Sequence, residues 1–268
     1  MLFKSRVRFL YQIILPKSMK KELKKVKENP IEKVKTYVPG LDEILKGGVN
    51  KSSSILVTGV PGSGKTIMAL QFIYNGAKNG EPGLYITCEE TIEDVKRYAK
   101  SVGLYFDHFE ENGLITFVRQ PITTKKLASI AIPLDIIKEK KVKRVVLDSL
   151  TFFEYVHVAG DADCRKEILN FIWAMKDVGV TLLVTSENYS SNINDFAYKP
   201  EDFLFEGLVS LMMIRKSSSF ERCLRVIKMR GQEHLIDIYP FIIGDNGIKV
   251  FPGQLPFSLI EKEEEKFK

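Results

Sequence analysis

The sequence predicts an α/β fold: an open, mostly parallel sheet flanked by helices, finished by C-terminal antiparallel strands. Three observations carry that expectation. Apolar runs of strand length alternate with helix-period segments, the rhythm that crossover connections between parallel strands demand. After Leu204 the rhythm changes to closely spaced strand-like runs joined by short turns. At 268 residues and 44% hydrophobic, the chain can bury one full α/β core.

The first 35 residues stand apart. They hold eleven Lys/Arg against Glu22, Glu28 and Glu32, a balance of +8. The remaining 29 basic and 31 acidic residues leave positions 36–268 at −2, so the body is nearly neutral and only the arm is basic. Its apolar run Phe9–Leu15 is too short to span a bilayer and lacks a small-residue cleavage site. The Lys/Glu helix pattern after Met19 makes that methionine an alternative start.

The first core strand is expected over 54–59 and the first helix over 64–78. Between them lies Gly59-Val60-Pro61-Gly62-Ser63-Gly64-Lys65-Thr66, the pattern of a phosphate-binding loop in its required strand-to-helix context. Glycines let successive backbone N–H groups converge on one anion, and the helix that starts here turns its positive dipole end toward it. Lys65 would reach the outer phosphates of a nucleotide, and the Thr66 hydroxyl would hold Mg²⁺.

The second strand, 84–88, ends in Glu89 and Glu90 ahead of a helix near 91–101. Strand ends of this kind lie at the carboxyl edge where ligands bind open α/β sheets. Two adjacent carboxylates there suit activation of an attacking water, although Glu90 and Glu93 also load a first helical turn favourably. A strand at 114–118 and a helix near 125–140 follow. The next strand, Arg144-Val145-Val146-Leu147-Asp148, is apolar and ends in an acid placed to order Mg²⁺ through its water shell. A helix near 162–178, a strand at 180–185 and closing strands at Gly207–Ile214, Arg222–Met229 and His234–Tyr239 complete the series. Ser217-Ser218-Ser219 reads as a turn between strands. No second phosphate loop and no internal repeat occur, so 36–251 reads as one catalytic domain with a charged tail at 252–268. Three scattered cysteines, Cys88, Cys164 and Cys223, make neither a disulfide framework nor a zinc site and point to a reducing cytoplasm.

Four segments, in order, carry a resemblance: Val38-Pro39-Gly40-Leu41-Asp42-Glu43-Ile44-Leu45-Lys46-Gly47-Gly48, the loop Gly59 to Thr66, Cys88-Glu89-Glu90-Thr91, and Val226-Ile227-Lys228-Met229-Arg230-Gly231. Over roughly residues 36–251 the chain resembles the RecA superfamily of P-loop NTPases, and within it the KaiC-type domains and related archaeal RadA-paralogue proteins. The resemblance implies a homo-oligomeric ring, usually a hexamer, with ATP held between neighbours. It implies that Glu89 and Glu90 are the paired catalytic glutamates and that Lys228 and Arg230 reach a neighbour's γ-phosphate. It places Ser101, Met229, Gln232, His234, Gly244 and Asp245 near the ribose or base. Gln232 and Gly244 stand where threonines are usual, which loosens the implied adenine selectivity.

Recombinases of that superfamily send loops into a central channel that binds DNA. Here the corresponding stretch 186–206 has Lys199 as its base against Glu187, Asp195, Glu201, Asp202 and Glu206, a balance of −4 that repels a phosphate backbone. Tyr189, Phe196 and Tyr198 could stack on bases, and segment 153–163 carries Glu154, Asp161 and Asp163 with no base. The expectation is a Mg²⁺-dependent ATPase ring with a regulatory role toward protein partners. A single-stranded-DNA accessory ATPase using the basic arm, and a nucleotide-binding module with negligible turnover, are the alternatives.

Overall fold

A computed structural model describes residues 31–120, 131–150, 162–188, 198–216 and 218–259. Eleven strands are present among them: β1 (Lys33–Val34), β2 (Val49–Asn50), β3 (Ser54–Gly59), β4 (Gly83–Thr87), β5 (Ile115–Arg119), β6 (Arg144–Asp148), β7 (Thr181–Glu187), β8 (Gly207–Lys216), β9 (Ser219–Met229), β10 (Tyr239–Gly244) and β11 (Gly247–Val250). The helices are α1 (Leu41–Ile44), α2 (Lys65–Lys78), α3 (Ile92–Lys100), α4 (Asp107–Glu111), α5 (Ala131–Glu139) and α6 (Ala162–Asp177), with a 3₁₀ turn at Pro200–Phe203. Strands β1 and β2 form a small antiparallel pair, and the other nine make one sheet in the order β11-β10-β9-β8-β3-β7-β6-β4-β5.

The six strands from β8 to β5 in that order are parallel, while β9, β10 and β11 are antiparallel to their neighbours. This is the α/β architecture expected. Both faces of the parallel region are covered, which is why its strands read as continuous apolar runs rather than alternating ones. The two-residue period of each strand sorts its side chains between two cores. Val57, Tyr85, Val146 and Leu183 join α2 residues Met68 and Phe72 in one cluster. Leu56, Leu84, Ile86, Val145, Leu147, Leu182 and Val184 join α6 residues Ile168, Phe171 and Met175 in the other.

The wholly buried Arg144 begins β6 beneath α2. It donates to Glu81 Oε2 at 2.5 Å, Phe72 O at 3.0 Å and Lys35 O at 2.8 Å. A Cβ at position 76 would lie 2.5 Å from its Cδ, so this turn of α2 must be glycine for the guanidinium to pass beneath it.

Three elements differ from expectation. The strand expected at His234–Tyr239 is irregular through Ile238, and pairing starts only at Tyr239. The alternation of Leu235, Ile236 and Ile238 is misleading, because Ile236 is 79% exposed. The segment is held instead by Leu235 N donating to Ile44 O at 2.9 Å and by the Tyr239 hydroxyl donating to Asp237 at 3.1 Å. The third closing strand is therefore β10, and β11 follows it through a tight turn at Asp245-Asn246 that pairs Gly244 with Gly247. Of the helix expected at 125–140, Ala131–Glu139 is helical and 125–130 lie outside the described residues. The hairpin pairs Lys216 with Ser219, so β9 begins three residues before the expected Arg222. Among the described residues no helix is long and apolar enough to cross a membrane.

Candidate nucleotide site

Strand β3 delivers the chain to Gly59 at the carboxyl edge of the sheet, and α2 begins at Lys65. The loop between them turns through Gly62 at φ 76° and Gly64 at φ 106°, conformations that a residue with a Cβ adopts only under strain. Gly59 has no room for a side chain, since a Cβ would sit 2.4 Å from Leu211 O. Around Gly62 nothing lies within 4 Å of such an atom, so the loop crest faces open space. Ser63 Oγ is buried without a hydrogen-bond partner, the kind of orphaned polar atom that marks a place built for something else.

Lys65 Nζ donates to Gly59 O at 3.0 Å and Val60 O at 3.2 Å, folded back on the loop it serves. Burial lowers its pKa from the ordinary 10.5, and three carboxylates oppose that shift: Glu187 first, then Asp148 and Glu89. The cation thus feels the acids at or just past the ends of β7, β6 and β4. Thr66, half-buried, follows it in the first turn of α2.

Strand β7 lies between β3 and β6, so Glu187 at its end stands level with Gly59, its register partner. The next residue, Asn188, donates its backbone N–H to Gly59 O at 3.1 Å. Asp148 ends β6 one strand further on. Its Oδ2 accepts from the Tyr85 hydroxyl at 2.6 Å, its Oδ1 from the Thr185 hydroxyl, and the peptide it makes with Ser149 is cis. Burial, then the Asp148 charge, pushes the Tyr85 phenol well above its usual pKa, so it stays protonated.

The two glutamates diverge. Ser149 Oγ donates to Glu89 Oε1 at 3.0 Å, tying that carboxylate to the residue after Asp148. Glu90 Oε2 accepts from the Tyr98 hydroxyl of α3 at 3.2 Å, and its backbone carbonyl from Thr87 Oγ1 at 3.0 Å. Cys88, just before them, is buried and its thiol is pushed up to about 12, so it carries no thiolate chemistry at neutral pH. Sequence reasoning missed Glu187, Tyr85 and Thr185 as members of this group.

The remaining expected residues fall into two sets. Ser101 caps α3, donating to Tyr98 O at 2.7 Å. Asp245 lies beside it, because a Cβ at Gly103 would strike Asp245 O at 1.9 Å. Gly244 precedes Asp245, and its neighbour Ile243 packs against Gly64, so this set borders the phosphate loop. Lys228, Met229, Arg230, Gln232 and His234 form the second set, at the opposite edge. Lys228 pairs with Leu208, which pairs with Leu56, and Arg230 N donates to Glu206 O, whose own N–H reaches Ser54, the first residue of β3. The whole length of β3 separates Arg230 from the phosphate loop of its own chain.

There the cations rest on the 3₁₀ turn. Lys228 Nζ donates to Asp202 O at 2.7 Å and Arg230 to Phe203 O at 3.0 Å. Burial and then the Arg230 charge lower the Lys228 pKa. Gln232 is a cross-tie: its amide donates to Leu45 O and Gly48 O, both at 3.0 Å, and accepts from Asn50 N at 3.0 Å. His234 Nδ1 meets Leu235 O at 2.9 Å. Tyr189, Asp195, Phe196, Glu154 and Asp161 lie outside the described residues, and Tyr198 stacks 5.8 Å from Phe203.

A phosphate loop leading from a buried strand into a helix, with an acid two strands away and a polar strand end between them, defines a RecA-like nucleotide-binding α/β protein. The chain belongs to the KaiC ATPase family: the family described as "ATPase: KaiC" matches residues 34–254. Its relatives include a UPF0273 protein of Thermotoga maritima, 31% identical over 240 residues that cover 84% of this chain and 98% of the relative. A UPF0273 protein of Methanopyrus kandleri is 29% identical over 243 residues, 84% of this chain and 94% of the relative. The circadian clock oscillator protein KaiC of Prochlorococcus marinus is 32% identical over 247 residues, 86% of this chain and 47% of the relative. The chain thus spans nearly all of the UPF0273 relatives and about half the length of the KaiC relatives it matches. It is a KaiC-like ATPase domain of the RecA superfamily.

Proposed function

We propose that this chain is a Mg²⁺-dependent ATPase that works as a homo-oligomeric ring, completes each site with cations from a neighbour, and acts as a regulatory switch toward protein partners. The observation that carries the reading is the division of charge. Three carboxylates act on Lys65 at the loop end of the sheet, while Arg230 sits at the other end, a strand's length from its own loop, and Lys228 lies level with Leu56 in mid-strand.

The residues present fit a metal-bound nucleotide. The orphaned Ser63 hydroxyl and the open crest at Gly62 leave room for phosphate oxygens. Mg²⁺ keeps several waters and leans on substrate phosphates, so it needs few protein ligands. Thr66 and Asp148 would hold it, and it would neutralise charge on the phosphates. Lys65 exchanges the carbonyls of Gly59 and Val60 for phosphate oxygens. Glu89, fixed by Ser149, orients the attacking water and accepts its proton, with Glu90 held back on Tyr98 in support. Ser101 and Asp245 border the ribose and base. Arg230 and Lys228, released from the carbonyls of residues 202 and 203, stabilise charge developing on a neighbour's γ-phosphate. A hydrolytic site in a ring that changes surface with nucleotide state suits a switch, and similarity to the circadian clock oscillator protein KaiC favours that role over DNA binding.

The test is ATP hydrolysis by the purified chain with Mg²⁺, measured alongside its mass with and without nucleotide. Slow hydrolysis that depends on assembly, unmoved by single-stranded DNA, is expected. Hydrolysis by a stable monomer would remove the ring, and strong stimulation by DNA would remove the regulatory reading.

A further inference from the structure

The acid that faces the metal is held from both sides. Strand β6 lies between β4 and β7, and each neighbour sends one hydroxyl to Asp148: Tyr85 to Oδ2 at 2.6 Å and Thr185 to Oδ1. A carboxylate offers about four lone-pair sites, so two remain for other donors. Tyr85 is 0% exposed, on a strand whose other side chains are mostly apolar. Its ring is set by the sheet and by Phe117, 5.5 Å away, which Phe106 braces edge-on at 5.2 Å. A phenylalanine would fill the same volume, and burying the hydroxyl costs free energy that only a hydrogen bond offsets. That bond goes to Asp148. The hydroxyl therefore contributes to the acid, not to the core.

We propose that Tyr85 is a positioning residue for metal-assisted nucleotide binding: with Thr185 opposite, its hydroxyl fixes the Asp148 carboxylate so that its two remaining acceptor sites meet the water shell of nucleotide-bound Mg²⁺. The proposal rests on the nucleotide-hydrolysing reading above. It assigns a role to a buried tyrosine that the phosphate-loop pattern does not contain. Partners that orient a metal's ligands commonly matter about ten- to a hundredfold to metal affinity or activity, and the Tyr85 hydroxyl stands in that relation to Asp148.

The test is Tyr85→Phe in the full chain, titrated calorimetrically with ATP over a series of MgCl₂ concentrations, with Mn²⁺ binding in the presence of ATP followed by electron paramagnetic resonance. ATP affinity without metal should stay within about twofold of the parent, while the metal concentration for half-maximal binding rises about tenfold. Hydrolysis at saturating metal should recover to within about threefold, a split that general loosening of the core would not produce. Thr185→Val should move the metal dependence the same way from the other oxygen, and it carries the test alone if Tyr85→Phe does not fold. Unchanged metal dependence in a folded variant, or a loss that excess metal does not recover, would overturn the assignment. Absence of ATP binding by the parent chain would instead overturn the nucleotide reading and this inference with it.

Discussion

The two ends of the central sheet handle charge differently. At the loop end, Lys65 is partly buried and faced by Glu187, Asp148 and Glu89, each placed by the terminus of a separate strand. At the opposite edge, Lys228 lies on β9 and Arg230 one residue past its end, half-buried and exposed respectively, and both rest on main-chain carbonyls of a single 3₁₀ turn. The first arrangement gathers charges from the ends of four strands. The second is a pair of cations on weak neutral acceptors, which a phosphate displaces at little cost. On the proposed reading one end binds nucleotide and the other completes a neighbour's site, because Arg230 lies the length of β3 from the loop of its own chain.

The comparison breaks first at Lys65. Lys65→Ala should abolish the heat of ATP binding, because the acids around the ammonium would then face the phosphates uncompensated. Arg230→Ala should leave the heat of binding by the separated chain close to the parent's. Equal losses in the two variants would erase the distinction between the ends.

The next effect separates the adjacent glutamates. Glu89→Gln should keep nucleotide binding and slow hydrolysis by at least ~100-fold, the usual scale for a positioned base, whereas Glu90→Gln should cost about tenfold or less. Single-turnover hydrolysis checks both, and the reverse order would exchange the roles assigned to the carboxylates on Ser149 and Tyr98.

The smallest effect is protonic. Burial holds Lys65 below its ordinary 10.5 in the free chain. A bound triphosphate raises it again, so binding should take up protons between the lowered value and 10.5, and affinity should fall as pH rises through that window. In the same window the unfolded chain binds more protons than the folded one, so this group makes folding stability rise with pH. Titrations in alkaline buffers of different ionisation enthalpy measure the uptake, and Lys65→Arg should abolish it.

Much of the loop end was legible because its signals are local. The spacing of Gly59, Gly64, Lys65 and Thr66 dictates a backbone shape wherever a strand precedes it and a helix follows. Asp148 and Glu89 announce themselves as acids that end apolar runs. Glu187 was missed because the seventh strand was expected to stop at 185, and its last two residues, Ser186 and Glu187, are polar enough to read as loop. The polarity is itself the signal, since a strand between the phosphate loop and Asp148 brings its end to the candidate site. Tyr85 and Thr185 were illegible for the opposite reason: both are good strand formers, and only strand order shows that they flank Asp148. The last hairpin was misplaced because exposed Ile236 mimics an alternating strand, while Pro240, which has no N–H to donate, falls inside the true one.

The most direct measurement of the split site mixes two crippled chains. Arg230→Ala keeps an intact pocket and lacks the exported cation, and Glu89→Gln keeps the cation and lacks the base. If each site is shared, random rings from equal parts should recover about a quarter of parent activity, the fraction of interfaces pairing an intact pocket with an intact donor. Activity of the mixture no greater than the two variants measured separately, with mixed assembly established by native mass spectrometry, would contradict the account.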